Sequence, residues 1–371
     1  MADRSLIRFP AIGLALVALA LGLWAGLDLI GWSRFVPTPA LPGSHGVLMV
    51  NGVLASLIGI ERAVALGRRA FYLAPLLTAI GGISLVVSGN PLLAFPLVTI
   101  GTLVLLAAFA VILKRQPALF TAVQFLGALA LLGGNLLGGY GLGIPYLIPW
   151  WASFLVLLTA AERLELTRLR RLSALDRLTF VIPVLLAVVG CVQSIFAFAS
   201  GFFIAASGWL LLGVWLLFHD IAYRNLSRPG LPRFTAVCLL SGYVWLVLGG
   251  AIVWTNGGWL VGLSYDAGLH ALFLGFVLSM VFAHAPIILP AVLGKPFPFA
   301  RPLYVPVAIL HASLAVRVGA DLLGLQILRE WGGLFNVVAI VLFGLLLLAS
   351  YLHDSSPLRT AYRTDASGFY P

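Results

Sequence analysis

The sequence predicts an all-α membrane protein built from twelve transmembrane helices in a pseudo-threefold bundle. Three observations carry that prediction. The 371 residues are 61% hydrophobic and only 9% charged, where a soluble globular chain carries about 25% charged residues. Twelve apolar runs approach or exceed the roughly 20 residues that a spanning helix needs. Lys and Arg gather in alternate loops between those runs, as expected when charge sets the topology.

The runs fall at 9–31, 45–67, 71–89, 92–113, 118–139, 145–164, 178–199, 202–221, 234–254, 267–291, 302–324 and 331–352. The first follows Arg4 and Arg8. It is too long for a signal-peptide core and lacks a small-residue cleavage site, so it reads as a span. The fifth contains Gly133-Gly134-Asn135-Leu136-Leu137-Gly138-Gly139, a pattern for close helix packing and not for phosphate binding. Tyr146, Trp150 and Trp151 open the sixth at the outer boundary, where aromatic belts sit, and are placed to wall a pocket there. The 40 Gly and 21 Pro are tolerated in spans whose neighbours re-satisfy the backbone. Loops are short, so 1–352 reads as one transmembrane domain and 353–371 as a polar, loosely held tail.

With the N-terminus in the cytoplasm, every Lys and Arg except Arg34, Arg317 and Arg329 lies on the cytoplasmic side. Both termini are therefore expected to be cytoplasmic. The same loops account for the net charge of +10, so no nucleic-acid partner is implied. The lipid bilayer is the partner that composition demands. Cys191 and Cys238 lie inside apolar runs without a CxxC, which suggests neither disulfide nor zinc. No phosphate-binding loop, nucleophile elbow, zinc-protease or dinucleotide motif occurs in a plausible setting.

A short repeat is visible. Ile60-Glu61-Arg62 ends the second run and Ala161-Glu162-Arg163 ends the sixth. Runs two, six and ten are each four helices apart, so three blocks of four would build the threefold arrangement. Both Glu-Arg pairs, and His219-Asp220 after the eighth run, are expected to snorkel to the interface and set topology.

Two histidines stand out. His45 and His270 each sit in the first turn of a long apolar run, where an ionisable group is costly without a partner. Runs two and ten point the same way, so the two imidazoles lie at similar depth near the outer face. Two axial ligands of one flat macrocycle need that arrangement. A pair at opposite ends would be separated by about 25–30 Å. His45, Met49, Gly52, Ser56 and Gly59 recur at helical spacing, a face that lets a helix or flat cofactor approach. Taken alone, His45 is equally an interfacial residue bonded to a carbonyl. The other four histidines are His219, His284, His311 and His353. His284 lies fourteen residues beyond His270, about 21 Å deeper along a straight helix. It lines a polar path, binds a second metal, or satisfies carbonyls freed by a kink at Pro286 and Pro290. His311 is a second metal ligand or a packed core residue. Arg317 suits a carboxylate bidentately, either on a cofactor or on Asp321 one turn away.

The stretches His45-Gly46-Val47-Leu48-Met49 and His270 through Ser279-Met280, then His284-Ala285-Pro286, resemble helices 2 and 10 of haem-copper oxidase subunit I. The twelve-span topology resembles it too. With the stretch through Arg317, the resemblance is closer to the smaller NnrS family of haem- and copper-containing membrane proteins tied to nitric oxide stress. The resemblance implies a b-type haem with His45 and His270 as iron ligands and Arg317 on the propionates, with copper as a further metal. It also implies an inner (plasma) membrane location and either a diatomic gas or an electron-transfer partner. The oxidase copper site needs histidines on helices 6 and 7. This chain offers only Trp150, Trp151 and Glu162 on one and Cys191 and Gln193 on the other. Proton-pumping oxygen reduction is thereby disfavoured. The expected function is haem-mediated electron transfer or a response to nitric oxide. The rival classes are a twelve-helix secondary transporter without haem and a cofactor-free assembly factor.

Overall fold

The computed structural model describes residues 5–32, 37–167, 172–258, 262–294 and 299–354. Arg4, Arg34, Arg168, Arg170, Arg171, Lys295, Arg359 and Arg363, all used in the charge count, lie outside them, as does nearly all of the expected tail. No strand occurs among the described residues. Twelve helices among the same residues are long and apolar enough to cross a membrane: α1 (Ile7–Leu29), α2 (Pro42–Leu66), α3 (Arg69–Ser88), α4 (Pro91–Arg115), α5 (Leu119–Gly139), α6 (Ile144–Thr167), α7 (Ala174–Phe196), α8 (Phe198–His219), α9 (Leu231–Thr255), α10 (Gly262–Leu293), α11 (Arg301–Leu323) and α12 (Gln326–Leu352). The expected all-α, twelve-helix membrane protein is what the chain forms.

Local chemistry sets the ends. The Asn90 side chain accepts from Leu92 N and Pro91 opens α4, as an N-cap followed by a first-turn proline should. Ser173 and Asp176 form a reciprocal capping box on α7. Gly67 and Gly294 close α2 and α10 at φ +63° and +71°, a left-handed conformation that only glycine adopts cheaply. Sequential helices pair as hairpins, and α7 and α8 cross most closely. A Cβ on Gly201 would stand 2.1 Å from Ser194 N, and one on Gly190 would stand 2.2 Å from Ala205 N. Backbone contact at that crossing needs both glycines. In α5, Gly133, Gly134 and Gly138 leave room for Trp150, Trp151 and Phe95, the close packing their sequence implied.

Burial repeats every four helices. The apolar window of α6 is 78% buried and those of α2 and α10 are each 61% buried, more than any other span. These three are the most buried spans, and they recur at the four-helix spacing of the Glu-Arg repeat. The first and last spans meet where Trp32, after α1, donates to Glu330 O at 2.7 Å and meets Trp331 edge-on at 4.9 Å.

The Glu-Arg pairs do not snorkel. Arg62 on α2 reaches across to Glu162 on α6 and also lies 3.4 Å from Glu61. Arg163 turns inward and forks Asp220 at 2.6 and 2.9 Å. Asp220 also accepts from Tyr243 OH and Ala222 N, both at 2.7 Å. Arg163 is 4% exposed and Asp220 is 2% exposed. A buried pair survives when its remaining lone pairs are filled, and here four donors fill them. Interface snorkelling is therefore replaced by a staple joining α6, the turn after α8, and α9. His219 instead stacks on Trp215 at 4.5 Å and contacts Asp176.

Candidate functional site

At the end of the bundle opposite that staple, α1, α2, α6, α10, α11 and α12 surround a cavity of about 400 Å³. That size lies within the range of small-molecule and cofactor sites, about 300–1,000 Å³. Its wall is mainly apolar, with Leu27, Val50, Ile148, Phe273 and Val337 among the lining residues. Polarity comes from His45, His270, Asp266 and Arg317, with Tyr265 and Asn336 also in the lining.

The two imidazoles meet across this space, with ring centres 6.4 Å apart and planes inclined by 31°. Two imidazoles on opposite sides of one metal would have centres roughly 6 Å apart. That spacing sums two metal–nitrogen bonds of about 2 Å and about 1 Å from each nitrogen to its ring centre. The rings are also pre-oriented. His45 Nδ1 is 2.8 Å from Gly22 O. His270 Nδ1 is 2.8 Å from Asp266 O and 3.1 Å from Asp266 Oδ1. A proton on each Nδ1 leaves each Nε2 with its lone pair, the tautomer a metal ligand requires. Gly26 makes the fit possible, because a Cβ there would lie 3.0 Å from His45 Cε1.

His45 occupies the first turn of α2, as expected. His270 does not open its helix, because α10 begins at Gly262. The extra turns bring in Asp266, which the expected boundary at 267 left outside. Each histidine is followed by a π-helical stretch, Leu48–Ala55 in α2 and Ala271–Leu278 in α10. Each π turn carries an extra residue, and such segments recur at functional sites. One consequence is visible on α2, where the expected single face splits. Met49 lines the cavity beside His45. Gly52 packs on Ala18 and Gly59 on Pro75, while Ser56 Oγ bonds Thr78 Oγ1 and Pro75 O. The extra residue rotates the small side chains toward α1 and α3 and away from the cavity.

Arg317 does reach the site, but its carboxylate partner is Asp266. Its Nε and Nη2 donate at 3.0–3.2 Å. Asp321, the alternative partner on its own helix, makes an ion-pair contact with Arg329 at 2.9 Å. Arg329 also lies 3.6 Å from Asp266. The cross-helix partner wins because it brings α10 against α11, where a surface i,i+4 pair contributes only about 0.2–0.5 kcal/mol.

The other histidines are not drawn in. His311 uses both ring nitrogens: Trp245 Nε1 donates to Nδ1 and Ser241 Oγ pairs with Nε2, each at 2.9 Å. It is a packed residue with neither lone pair left for a metal. His284 Nδ1 bonds Met280 O at 2.7 Å. That carbonyl is not one freed by proline, since Pro286 and Pro290 withhold donors from residues 282 and 286. Among the described residues, no group of three or more His, Cys, Asp or Glu could hold a metal ion. The aromatic residues expected to wall the pocket face elsewhere. Trp151 donates to Asn135 Oδ1 inside the bundle and Tyr146 packs on Phe198. Ile144, Pro145 and Ile148 form the α6 wall in their place.

Asp266 was missed from the sequence, while Asp321 and Arg329 entered it only as a possible partner of Arg317 and as an outer-side cation. The available signal was an i,i+4 Asp-His pair at the start of an apolar run. Residues 8–352 match a family described as Domain of unknown function (DUF8744), and the chain belongs to that family. No curated protein matches it.

Proposed function

We propose that this family member holds one b-type haem in the cavity, with His45 and His270 supplying the two axial nitrogens, and serves in electron transfer. The observation that carries the reading is the 6.4 Å separation of two rings whose Nδ1 atoms are both tied back to protein oxygens. The apolar cavity supports a macrocycle over a bare ion, which needs no such volume. A haem supplies one-electron chemistry, with potential set by its axial ligands and their hydrogen bonds.

The residues have separate tasks. His45 and His270 hold the metal. Gly22 O and Asp266 orient the imidazoles. The apolar wall keeps water away. Arg317 stands where the propionate role would be filled, although Asp266 takes two of its nitrogens. The Lys and Arg distribution supports a site toward the outer face with both termini cytoplasmic, and the resemblance implies the plasma membrane. Arg317 and Arg329, two of the three exceptions to the count, are withdrawn into ion pairs.

A second reading is a response to nitric oxide or a similar gas. With both axial positions taken by His45 and His270, such a gas reaches the metal only by displacing an imidazole. The observation in its favour is that His45 is tied to a single carbonyl while His270 is tied to a carbonyl and a carboxylate. His45 is then the ligand that lets go.

The test is the reduced-minus-oxidised absorption spectrum of purified protein. A Soret band that shifts on reduction is expected. No Soret band, together with substrate uptake into vesicles, would favour transport instead.

A further inference from the structure

The two proposed ligands are held differently. His45 has one backbone carbonyl behind its ring. His270 has the Asp266 carbonyl at 2.8 Å and its carboxylate at 3.1 Å. That carboxylate is clamped by Arg317 at 3.0–3.2 Å and approached by Arg329 at 3.6 Å. Behind them Asp321, 2% exposed, faces Arg329. Two acids and two guanidiniums thus gather behind one imidazole. Apolar residues in place of a buried ion pair often cost nothing or stabilise, so stability alone gives little reason for this cluster.

We infer that Asp266 is a positioning residue that makes His270 the stronger electron donor of the two ligands, lowering the reduction potential of the bound haem. Arg317 and Arg329 set how much of its charge reaches the ring. The inference rests on the haem reading of the cavity. Its chemistry is general: a carboxylate against the far nitrogen of a metal-bound imidazole raises the ring's basicity, and here the Asp266 carbonyl takes the Nδ1 proton while the carboxylate lies 3.1 Å away. A more basic ligand favours the more positive, oxidised metal. A guanidinium on the same carboxylate draws charge back, so the clamp opposes the carboxylate it holds.

Opposite signs follow. Asp266→Asn keeps an acceptor oxygen near Nδ1 and the backbone carbonyl behind it, but removes the charge. Arg317→Gln removes a cation and releases the carboxylate. A redox titration of each purified variant, followed at the Soret band, reads both.

Asp266→Asn is expected to keep its haem and to favour the reduced form by about tenfold, which is 59 mV for one electron. Arg317→Gln is expected to favour the oxidised form. The low-spin ferric electron paramagnetic resonance signal is expected to change in Asp266→Asn, because the donor strength of one axial ligand changes. If Asp266→Asn loses the haem, Asp266→Glu and Arg317→Gln decide. Asp266→Glu is then expected to hold the wild-type potential. An unchanged midpoint in Asp266→Asn with haem retained, or shifts of the same sign in Asp266→Asn and Arg317→Gln, overturns the inference and leaves the haem reading intact. Wild-type protein without a Soret band overturns that reading itself.

Discussion

Gly26 and His45 meet without slack: a Cβ on Gly26 would stand 3.0 Å from His45 Cε1. Helix α1 therefore acts as a backstop that presses the imidazole toward the cavity, while Gly22 O one turn earlier holds its Nδ1 at 2.8 Å. The expected outcome for Gly26→Val is a displaced His45 and a haem content reduced about tenfold. Overpacking costs about 1–3 kcal/mol, and about 1.4 kcal/mol is tenfold in binding. Gly13→Ala, with nothing within 4 Å of its added Cβ, should leave haem content unchanged. The pyridine haemochrome assay on equal amounts of purified protein measures both.

The Arg163–Asp220–Tyr243 staple gives a stability prediction at the other end of the bundle. Asp220→Ala leaves Arg163 buried without its partner, a loss of about 3–5 kcal/mol. Tyr243→Phe removes a single hydrogen bond to a charged group, about 1.5–3 kcal/mol. Thermal unfolding in detergent should rank wild type above Tyr243→Phe above Asp220→Ala. Haem content should hold in Tyr243→Phe below its unfolding temperature.

His311 separates a packed histidine from a ligand. His311→Leu strands Trp245 Nε1, whose hydrogen bond it now accepts, at about 1–3 kcal/mol for a buried unmade bond, while Ser241 Oγ keeps Val237 O and Cys238 O. The expected result is a lower unfolding temperature with an unchanged absorption spectrum. Loss of the Soret band in a folded His311→Leu protein would contradict the assignment.

Much of the fold was legible because a bilayer reduces the problem to length and polarity. Each span shows as an apolar run, and the shared direction of α2 and α10 follows from counting alone. That count placed His45 and His270 at one depth, and their ring centres lie 6.4 Å apart. The details that failed share a cause. A π turn leaves no mark in apolar periodicity, so the split between Met49 and the Gly52–Ser56–Gly59 face was not visible. Asp266 was lost because the start of an amphiphilic helix is blurred by its own polar residue. The Arg163–Asp220 pair was read as interfacial because single-sequence position gives depth along a helix but not rotation about it. For Arg317 the spacing offers only Asp321 as a protein partner, whereas the carboxylate it binds, Asp266, sits on another helix.

The most direct measurement is imidazole rescue of the ligand variants. His45→Gly and His270→Gly are purified, and their Soret and reduced α-band spectra are recorded with and without millimolar imidazole. The account expects each variant to lose the six-coordinate low-spin spectrum, or the haem itself, and to regain it when imidazole fills the space left by the side chain. Full haem content with an unaltered low-spin spectrum in both variants, before imidazole is added, would contradict it.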